Sequence, residues 1–150
     1  MKILTFDIED WFHILDHTHT KTEKNWSNYE SRLEYGVETI LDIVDEAEVS
    51  ATFFVLGWVA QNYPNIVKKI NDRGFEIGTH SHMHQLAYEM RREEFFNDID
   101  KSISTIEWCL KNPNSIDIEK ITESRKSIIY KYNLFKLIHD IIIKLELNSD

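Results

Sequence analysis

A cluster of three carboxylates lies near the start of the chain, at Asp7, Glu9 and Asp10. It follows an apolar, β-branched run at residues 2–6, which is typical of a buried parallel strand. The carboxyl ends of such strands carry the reactive groups of many α/β folds. Acids also collect at strand ends and turns for purely structural reasons, so this cluster alone does not predict a site.

A second cluster of potential ligands contains His80, His82 and His84, directly after a predicted strand at residues 75–78. We expect His80 and His84 to share one side of a helical turn and His82 to point elsewhere. Two imidazoles and one carboxylate are a common catalytic zinc set, which leaves a coordination position open for water. Neighbouring histidines also occur in solvated loops, but two ligand clusters that each follow a strand favour a metal site.

The elements that must position these clusters alternate between strand and helix. A β-branched and aromatic run predicts another strand at residues 50–56, and the polar stretch at residues 13–28 predicts a loop. Apolar residues at helical spacing predict amphipathic helices at residues 35–47 and 93–110. A further helical pattern at residues 59–72 is broken early by Pro64. This alternation indicates an α/β fold with a parallel sheet and right-handed crossovers, which a partial (β/α) barrel would satisfy.

The character of the chain changes after Leu110. Residues 111–127 are polar, and the residues from 128 onward are rich in Ile, Leu and Lys without Gly or Pro. We therefore predict that residues 1–110 form the N-terminal part of one domain. Residues 111–150 are expected to form an atypical tail that is first polar and then helical.

Composition restricts the partners of the chain. The 150 residues carry a formal net charge of -9, which argues against binding to nucleic-acid phosphates. Cys109 is the only cysteine, so that an intramolecular disulfide and a cysteine-based zinc site are excluded. The N-terminus lacks the apolar core of a signal peptide, and no stretch has the roughly 20 apolar residues of a membrane span. We expect a cytoplasmic protein with no membrane span.

Several motifs occur in an order that characterises one family. Residues 5–11 read T-F-D-I-E-D-W, residues 51–54 read A-T-F-F, residues 74–78 read G-F-E-I-G, and residues 80–84 read H-S-H-M-H. Together they resemble the polysaccharide deacetylases of carbohydrate esterase family 4, which share the chitooligosaccharide deacetylase homology domain. The last motif matches H-[ST]-x-x-H in full. The first matches T-F-D-D in part and resembles a T-F-D-x-E-D-W sub-branch associated with exopolysaccharide and lipopolysaccharide clusters.

The resemblance implies a metal-dependent hydrolase that removes N-acetyl groups from a polysaccharide or a lipid-linked sugar. It implies that Asp7 is the general base, and that His80 and His84 bind a divalent metal, with Zn2+ expected. The carboxylate ligand is Glu9 or Asp10. Strand alternation places Glu9 on the same face as Asp7, but the shorter side chain of Asp10 matches the residue type of the family, and we favour Asp10 on that ground.

Two tryptophans follow predicted strand ends and are candidates for substrate binding. Trp11 and Trp58 could each stack on the face of a sugar ring, although a lone Trp packs in a core at least as often.

The resemblance covers residues 2–110. The later family motifs, an Arg-x-Pro segment, an Asp-Trp pair and a Leu-His motif, are not found, so we expect metal binding with impaired turnover. A half barrel would also leave an open sheet edge that promotes self-association. Two alternatives stay open: an amidohydrolase that acts on a small allantoin-like amide, and a degenerate fragment without catalysis.

Overall fold

The computed structural model describes residues 3–14, 20 and 22–112. Its centre is a parallel sheet of three strands in the order β1-β2-β3, which confirms the predicted α/β fold with a partial parallel sheet. The strands are β1 (Thr5–Ile8), β2 (Thr52–Val55) and β3 (Glu76–Thr79). The helices are α1 (Leu33–Glu46), α2 (Gly57–Asn62), α3 (Pro64–Asp72) and α4 (Arg92–Lys111), with short 3-10 helices at Trp11–His13, Glu23–Asn28 and Ala87–Glu89.

The first strand begins and ends later than the predicted range, residues 2–6. Asp7 pairs with Phe54 and Ile8 pairs with Val55, so the ladder with β2 continues through the first acidic residue. Ile8 is only 2% exposed, and its burial explains why the strand continues past Asp7. Asp7 therefore lies within β1 rather than in the segment that follows the strand.

The helix predicted at residues 59–72 is two helices, α2 and α3. Pro64 is the first residue of α3, a position where its missing N–H costs no intrahelical hydrogen bond. The chain bends at Tyr63, whose backbone dihedral angles are not helical. The proline thus starts a new helix instead of only disturbing one.

The predicted loop at residues 13–28 contains a helical turn in the part that the structure describes. Residues Glu23–Asn28 form a 3-10 helix, and its Trp26 is 1% exposed. The Trp26 indole N–H donates to the backbone carbonyl of Thr20 at 3.0 Å. Burial of the large Trp26 side chain explains why this segment forms a helical turn, although its polar composition predicted a loop.

The core is continuous between the sheet and the helices. In α1 the buried residues recur every three or four positions, as the amphipathic pattern predicted: Leu33, Val37, Leu41 and Val44. None of the helices in the described part is both long and apolar enough for a bilayer. The tail was predicted at residues 111–150; Lys111 belongs to α4, and residues 113–150 lie outside the described residues.

Candidate metal centre and catalytic site

Both ligand clusters lie at the carboxyl end of the sheet, where adjacent parallel strands finish together. Asp7 belongs to β1, Glu9 is the first residue after β1, and His80 is the first residue after β3. The pairing continues beyond the strands, because the His80 N–H donates to the carbonyl of Val55 at 3.0 Å. Residues that are far apart in the sequence therefore meet at one edge.

Glu9, His80 and His84 form a group that can hold a metal ion. One ligand atom from each of the three lies within 4.8 Å of the others, and Oε2 of Glu9 is 3.5 Å from Nε2 of His84. Oε2 of Glu9 and Nε2 of His80 are buried without a hydrogen-bond partner among the described residues. Buried polar atoms without partners are costly, and a cation would satisfy both of these, so the residues fit a metal.

A hydrogen bond sets the proton position of His84. Its Nδ1 is 2.9 Å from the backbone carbonyl oxygen of His13. A carbonyl oxygen can only accept, so Nδ1 must carry the proton. In the neutral ring Nε2 then keeps its lone pair, and this is the atom that faces Glu9.

The prediction of a helical turn at the histidines is wrong. Ser81 and His84 have φ values of 65° and 55°, in the left-handed region, and the segment is a loop. The Ser81 hydroxyl accepts a hydrogen bond from the His84 N–H at 3.0 Å. The rings of His80 and His84 nevertheless lie 4.9 Å apart.

Helix α4 holds this histidine loop from the other side. The Asp98 carboxylate accepts from the N–H of His82 at 2.7 Å and from the N–H of Met83 at 3.1 Å. One turn later, the Ser102 hydroxyl donates to the carbonyl of Ser81 at 2.8 Å. Helix α4 therefore supplies side-chain partners for three backbone groups of the loop.

His82 does not share the surface of the other two histidines. It is 1% exposed and packs beside Gly57, the first residue of α2. A Cβ atom at Gly57 would lie 2.3 Å from Nδ1 of His82 and 2.9 Å from Cα of Ser102. The absence of a side chain at Gly57 thus lets the loop, α2 and α4 approach closely.

Asp7 lies beside the metal group but is more accessible. Its Oδ1 is 4.0 Å from Nδ1 of His80, and its side chain is 54% exposed. This carboxylate can reach solvent and a neighbouring imidazole at the same time. The position suits a group that exchanges protons with water.

Asp10 lies outside the group formed by Glu9 and the two histidines. Its Oδ1 accepts from the Trp11 N–H and its Oδ2 accepts from the Arg32 N–H, each at 3.0 Å. The residue is 5% exposed, so both oxygens are committed to backbone donors inside the protein. The geometry favours Glu9, the alternative carboxylate, over the Asp10 that the sequence led us to favour.

His13 is fully buried between aromatic rings. Its ring centroid is 4.5 Å from that of Trp26 and 4.9 Å from that of Trp58. Burial lowers the pKa of His13 to about 4, against a smaller opposing effect of the Asp10 charge. The imidazole is therefore neutral at pH 7.

Three recesses of the described surface differ in their relation to the site. The recess of about 430 Å³ around Leu4, Thr52 and Glu76 lies at the amino ends of the strands, away from these side chains. A groove of about 360 Å³ is instead lined by Met83 and Gln85, the two neighbours of His84. A smaller recess of about 140 Å³ is lined by Asp7, Glu9 and Asp10. The groove and this smaller recess are therefore both placed to hold a molecule that reaches the site.

The polysaccharide deacetylase family model matches residues 4–116, three-quarters of the chain, including every site residue described above. The chain belongs to the polysaccharide deacetylase family. This confirms the resemblance that the sequence motifs indicated. The T-F-D-x-E-D-W sub-branch stays a prediction.

Individual members of the family are similar to parts of this chain. A peptidoglycan-N-acetylglucosamine deacetylase of Bacillus cereus is 41% identical over 63 residues, which are 42% of this chain and 23% of that protein. Chitin deacetylase 1 of Saccharomyces cerevisiae is 44% identical over 52 residues, or 35% and 17% of the two chains. A solved peptidoglycan N-acetylglucosamine deacetylase superposes with a TM-score of 0.53 at 28% identity, covering 71% and 40%. The chain thus spans less than half of each relative.

The two tryptophans occupy different environments in this deacetylase fold. Trp58 packs against Phe12, His13 and Trp26 with ring centroids 4.9 to 5.9 Å apart. Trp11 is 47% exposed, and its indole N–H reaches the carbonyl of Glu30 at 3.4 Å. Of the two, Trp11 has the surface that stacking on a sugar requires.

Sequence reasoning missed four residues that support the site: His13, Gly57, Asp98 and Ser102. Asp98 and Ser102 interrupt the apolar period of α4 four residues apart, which marks one polar stripe on a buried face. His13 follows Asp10 by three residues, the spacing of a capping box. These signals were present, but they point to local structure and only the fold connects them to the metal group.

Proposed function

We propose that this chain is the metal-binding part of a hydrolase that removes N-acetyl groups from an N-acetylglucosamine polysaccharide. The observation that carries the proposal is the convergence of Glu9, His80 and His84, with Asp7 beside them, at the carboxyl end of the sheet. A degenerate fragment without a metal site gives no reason for buried ligand atoms without partners at this point, whereas a fragment that only binds metal is separated from the hydrolase by its lack of acetate release.

Glu9, His80 and His84 would hold the cation, and two imidazoles with one carboxylate suit zinc. When bound, zinc would polarise the acetamide carbonyl and lower the pKa of a water molecule. Glu9 supplies the negative charge of the ligand set. His84 supplies a lone pair at Nε2 because its Nδ1 proton is donated to the His13 carbonyl.

Asp7 would act as the general base. Its carboxylate is exposed enough to contact water and lies 4.0 Å from His80, so that it can accept a proton next to the reacting amide. It is separate from the three ligand residues, and the roles of base and ligand fall on different carboxylates.

The substrate class follows from the relatives and from the shape of the site. The relatives are named for peptidoglycan and chitin, both polymers that contain N-acetylglucosamine. Side chains of His80 and His84 are about a quarter exposed, and Met83 and Gln85, the chain neighbours of His84, line a groove. Exposed Trp11 offers an aromatic face for a sugar ring.

Zinc content and acetate release test the proposal together. The purified chain is incubated with zinc and an N-acetylglucosamine oligomer, and metal and acetate are measured for the parent chain and for Asp7→Asn. We expect one zinc per chain in both proteins. Acetate release should already be slow in the parent chain, in which the later family motifs are not found, and should fall about 100-fold or more further in Asp7→Asn, because general base catalysis contributes about 10² to 10⁴ in rate.

The same assay separates the alternatives. A parent chain that binds no zinc would contradict the metal centre. Loss of zinc from Asp7→Asn would show that the base and ligand roles are exchanged. Hydrolysis of allantoin without release of acetate from the oligomer would favour the small-amide hydrolase.

A further inference from the structure

The residues around Asp10 form a support for His84 that lies outside the proposed ligand set. We infer that Asp10 and His13 are positioning residues: the turn that they close presents the His13 carbonyl to Nδ1 of His84 and so selects the tautomer that can bind a cation through Nε2. This inference rests on the proposed metal site.

The turn is closed by reciprocal hydrogen bonds. The Asp10 N–H donates to Nδ1 of His13 at 2.8 Å, and the His13 N–H donates to the Asp10 carbonyl at 2.9 Å. The Asp10 carboxylate adds a bond to the Trp11 N–H. A backbone held at so many points has little freedom to move its outgoing carbonyl.

The turn is also fixed to its surroundings. The second Asp10 oxygen accepts from the N–H of Arg32, the residue before α1. The His13 ring is fully buried against Trp26 and Trp58. Movement of the His13 carbonyl would therefore require displacing both a helix start and an aromatic cluster.

The turn contacts the loop that carries His84 through one hydrogen bond. The His13 carbonyl accepts from Nδ1 of His84 at 2.9 Å, across 71 positions of sequence. Nε2 of His84 then faces Oε2 of Glu9 at 3.5 Å with its lone pair available. Partners of this kind around ligating histidines are typically worth 10- to 100-fold in metal affinity.

The tautomer of His84 can be measured without metal. Long-range 15N–1H spectra of the metal-free chain at about pH 8, above the usual histidine pKa, distinguish Nδ1–H from Nε2–H rings. The His84 signals are identified by their loss in His84→Gln. We expect Nδ1–H in the parent chain, and an Nε2–H ring would overturn the inference.

Two substitutions of His13 form a matched pair. His13→Asn places an amide oxygen where Nδ1 accepts from the Asp10 N–H, whereas His13→Phe keeps a buried ring but removes the acceptor. We expect His13→Asn to preserve the His84 tautomer and zinc affinity. His13→Phe should give a mixture of tautomers and a zinc affinity about 10- to 100-fold weaker. Equal behaviour of the two would contradict the inference.

Asp10→Asn and Glu9→Gln separate positioning from ligation. Glu9→Gln should lose zinc and keep the His84 tautomer, while Asp10→Asn should disturb the tautomer and only weaken zinc. Complete zinc loss in Asp10→Asn with an unchanged tautomer would make Asp10 a ligand and overturn the inference. If the parent chain binds no zinc but His84 is Nδ1–H and responds to His13→Phe, the proposed function fails and the positioning role stands.

Discussion

Oε2 of Glu9 and Nε2 of His84 lie 3.5 Å apart. The neighbouring groups, the Asp10 carboxylate and Nδ1 of His84, are instead engaged in hydrogen bonds with the backbone. The contact joins the end of β1 to a loop after β3, with β2 between them in the sheet. An acid and an imidazole converge there, and buried ligand atoms without hydrogen-bond partners lie at the same point, so metal binding depends on the packing that holds them together.

The first prediction distinguishes the three histidines. His80→Ala and His84→Ala should each abolish stoichiometric zinc uptake, because each removes a ligand atom. His82→Ala should keep zinc at low temperature but lower the free energy of unfolding by about 2 kcal/mol or more, since it leaves a cavity at a site with 1% exposure. Metal analysis and urea unfolding measure the two effects. Equal zinc loss in all three variants would sink the assignment.

The second prediction concerns close packing at Gly57. Gly57→Ala should lower the free energy of unfolding by about 1 to 3 kcal/mol, because the new Cβ would lie 2.9 Å from the backbone of Ser102 and 2.3 Å from Nδ1 of His82. Gly36→Ala, within α1, is the control: no atom lies within 4 Å, and we expect a gain of up to about 1 kcal/mol. Denaturation midpoints compare the pair, and a neutral Gly57→Ala would refute the packing argument.

The third prediction tests the support from α4. In Asp98→Asn one carboxylate oxygen becomes an amide donor, so the N–H groups of His82 and Met83 can no longer both be satisfied. We expect zinc affinity to weaken about tenfold or more as the loop loosens. Asp100→Asn, on the same helix, removes a similar charge without a hydrogen bond to the loop in the described part. Competition with a zinc-binding dye gives both affinities, and equal effects would mean that charge alone matters.

The fourth prediction is a pH dependence of stability. Burial lowers the pKa of His13 to about 4, so between about pH 6.5 and 4 the unfolded chain binds a proton that the folded chain excludes. The stability of metal-free protein should therefore fall as pH decreases through this window. At pH 5 the loss from this residue should be about 2 kcal/mol, at roughly 1.4 kcal/mol per pH unit.

His13→Asn supplies the reference for that measurement, because it keeps the acceptor for the Asp10 N–H but does not titrate. Urea unfolding at pH 7.5 and pH 5 gives the change in each protein, and other groups contribute equally to both. A parent chain that loses no more stability than His13→Asn would show that His13 is protonated without cost in the fold.

Local sequence pattern determined the elements and where reactive groups could occur. Apolar side chains repeat about every two residues in a strand and every 3.6 residues in a helix, and this repeat can be read from residues close together in the sequence. The helices α1 and α4 and the alternation of strand and helix were therefore predictable to within a few residues. The same rules placed both ligand clusters after strands, because parallel strands carry polar groups at their carboxyl ends. Alternation along an extended strand also predicted that Asp7 and Glu9 share one face.

Tertiary structure decided which of the candidate groups meet. The choice between Glu9 and Asp10 depends on the Arg32 N–H, 22 positions away from Asp10, which commits its second oxygen. The tautomer of His84 depends on a carbonyl 71 positions away, and its left-handed backbone depends on a loop held by Asp98. Such contacts have no period in the sequence, because they arise only when packing brings distant backbone groups within hydrogen-bonding distance.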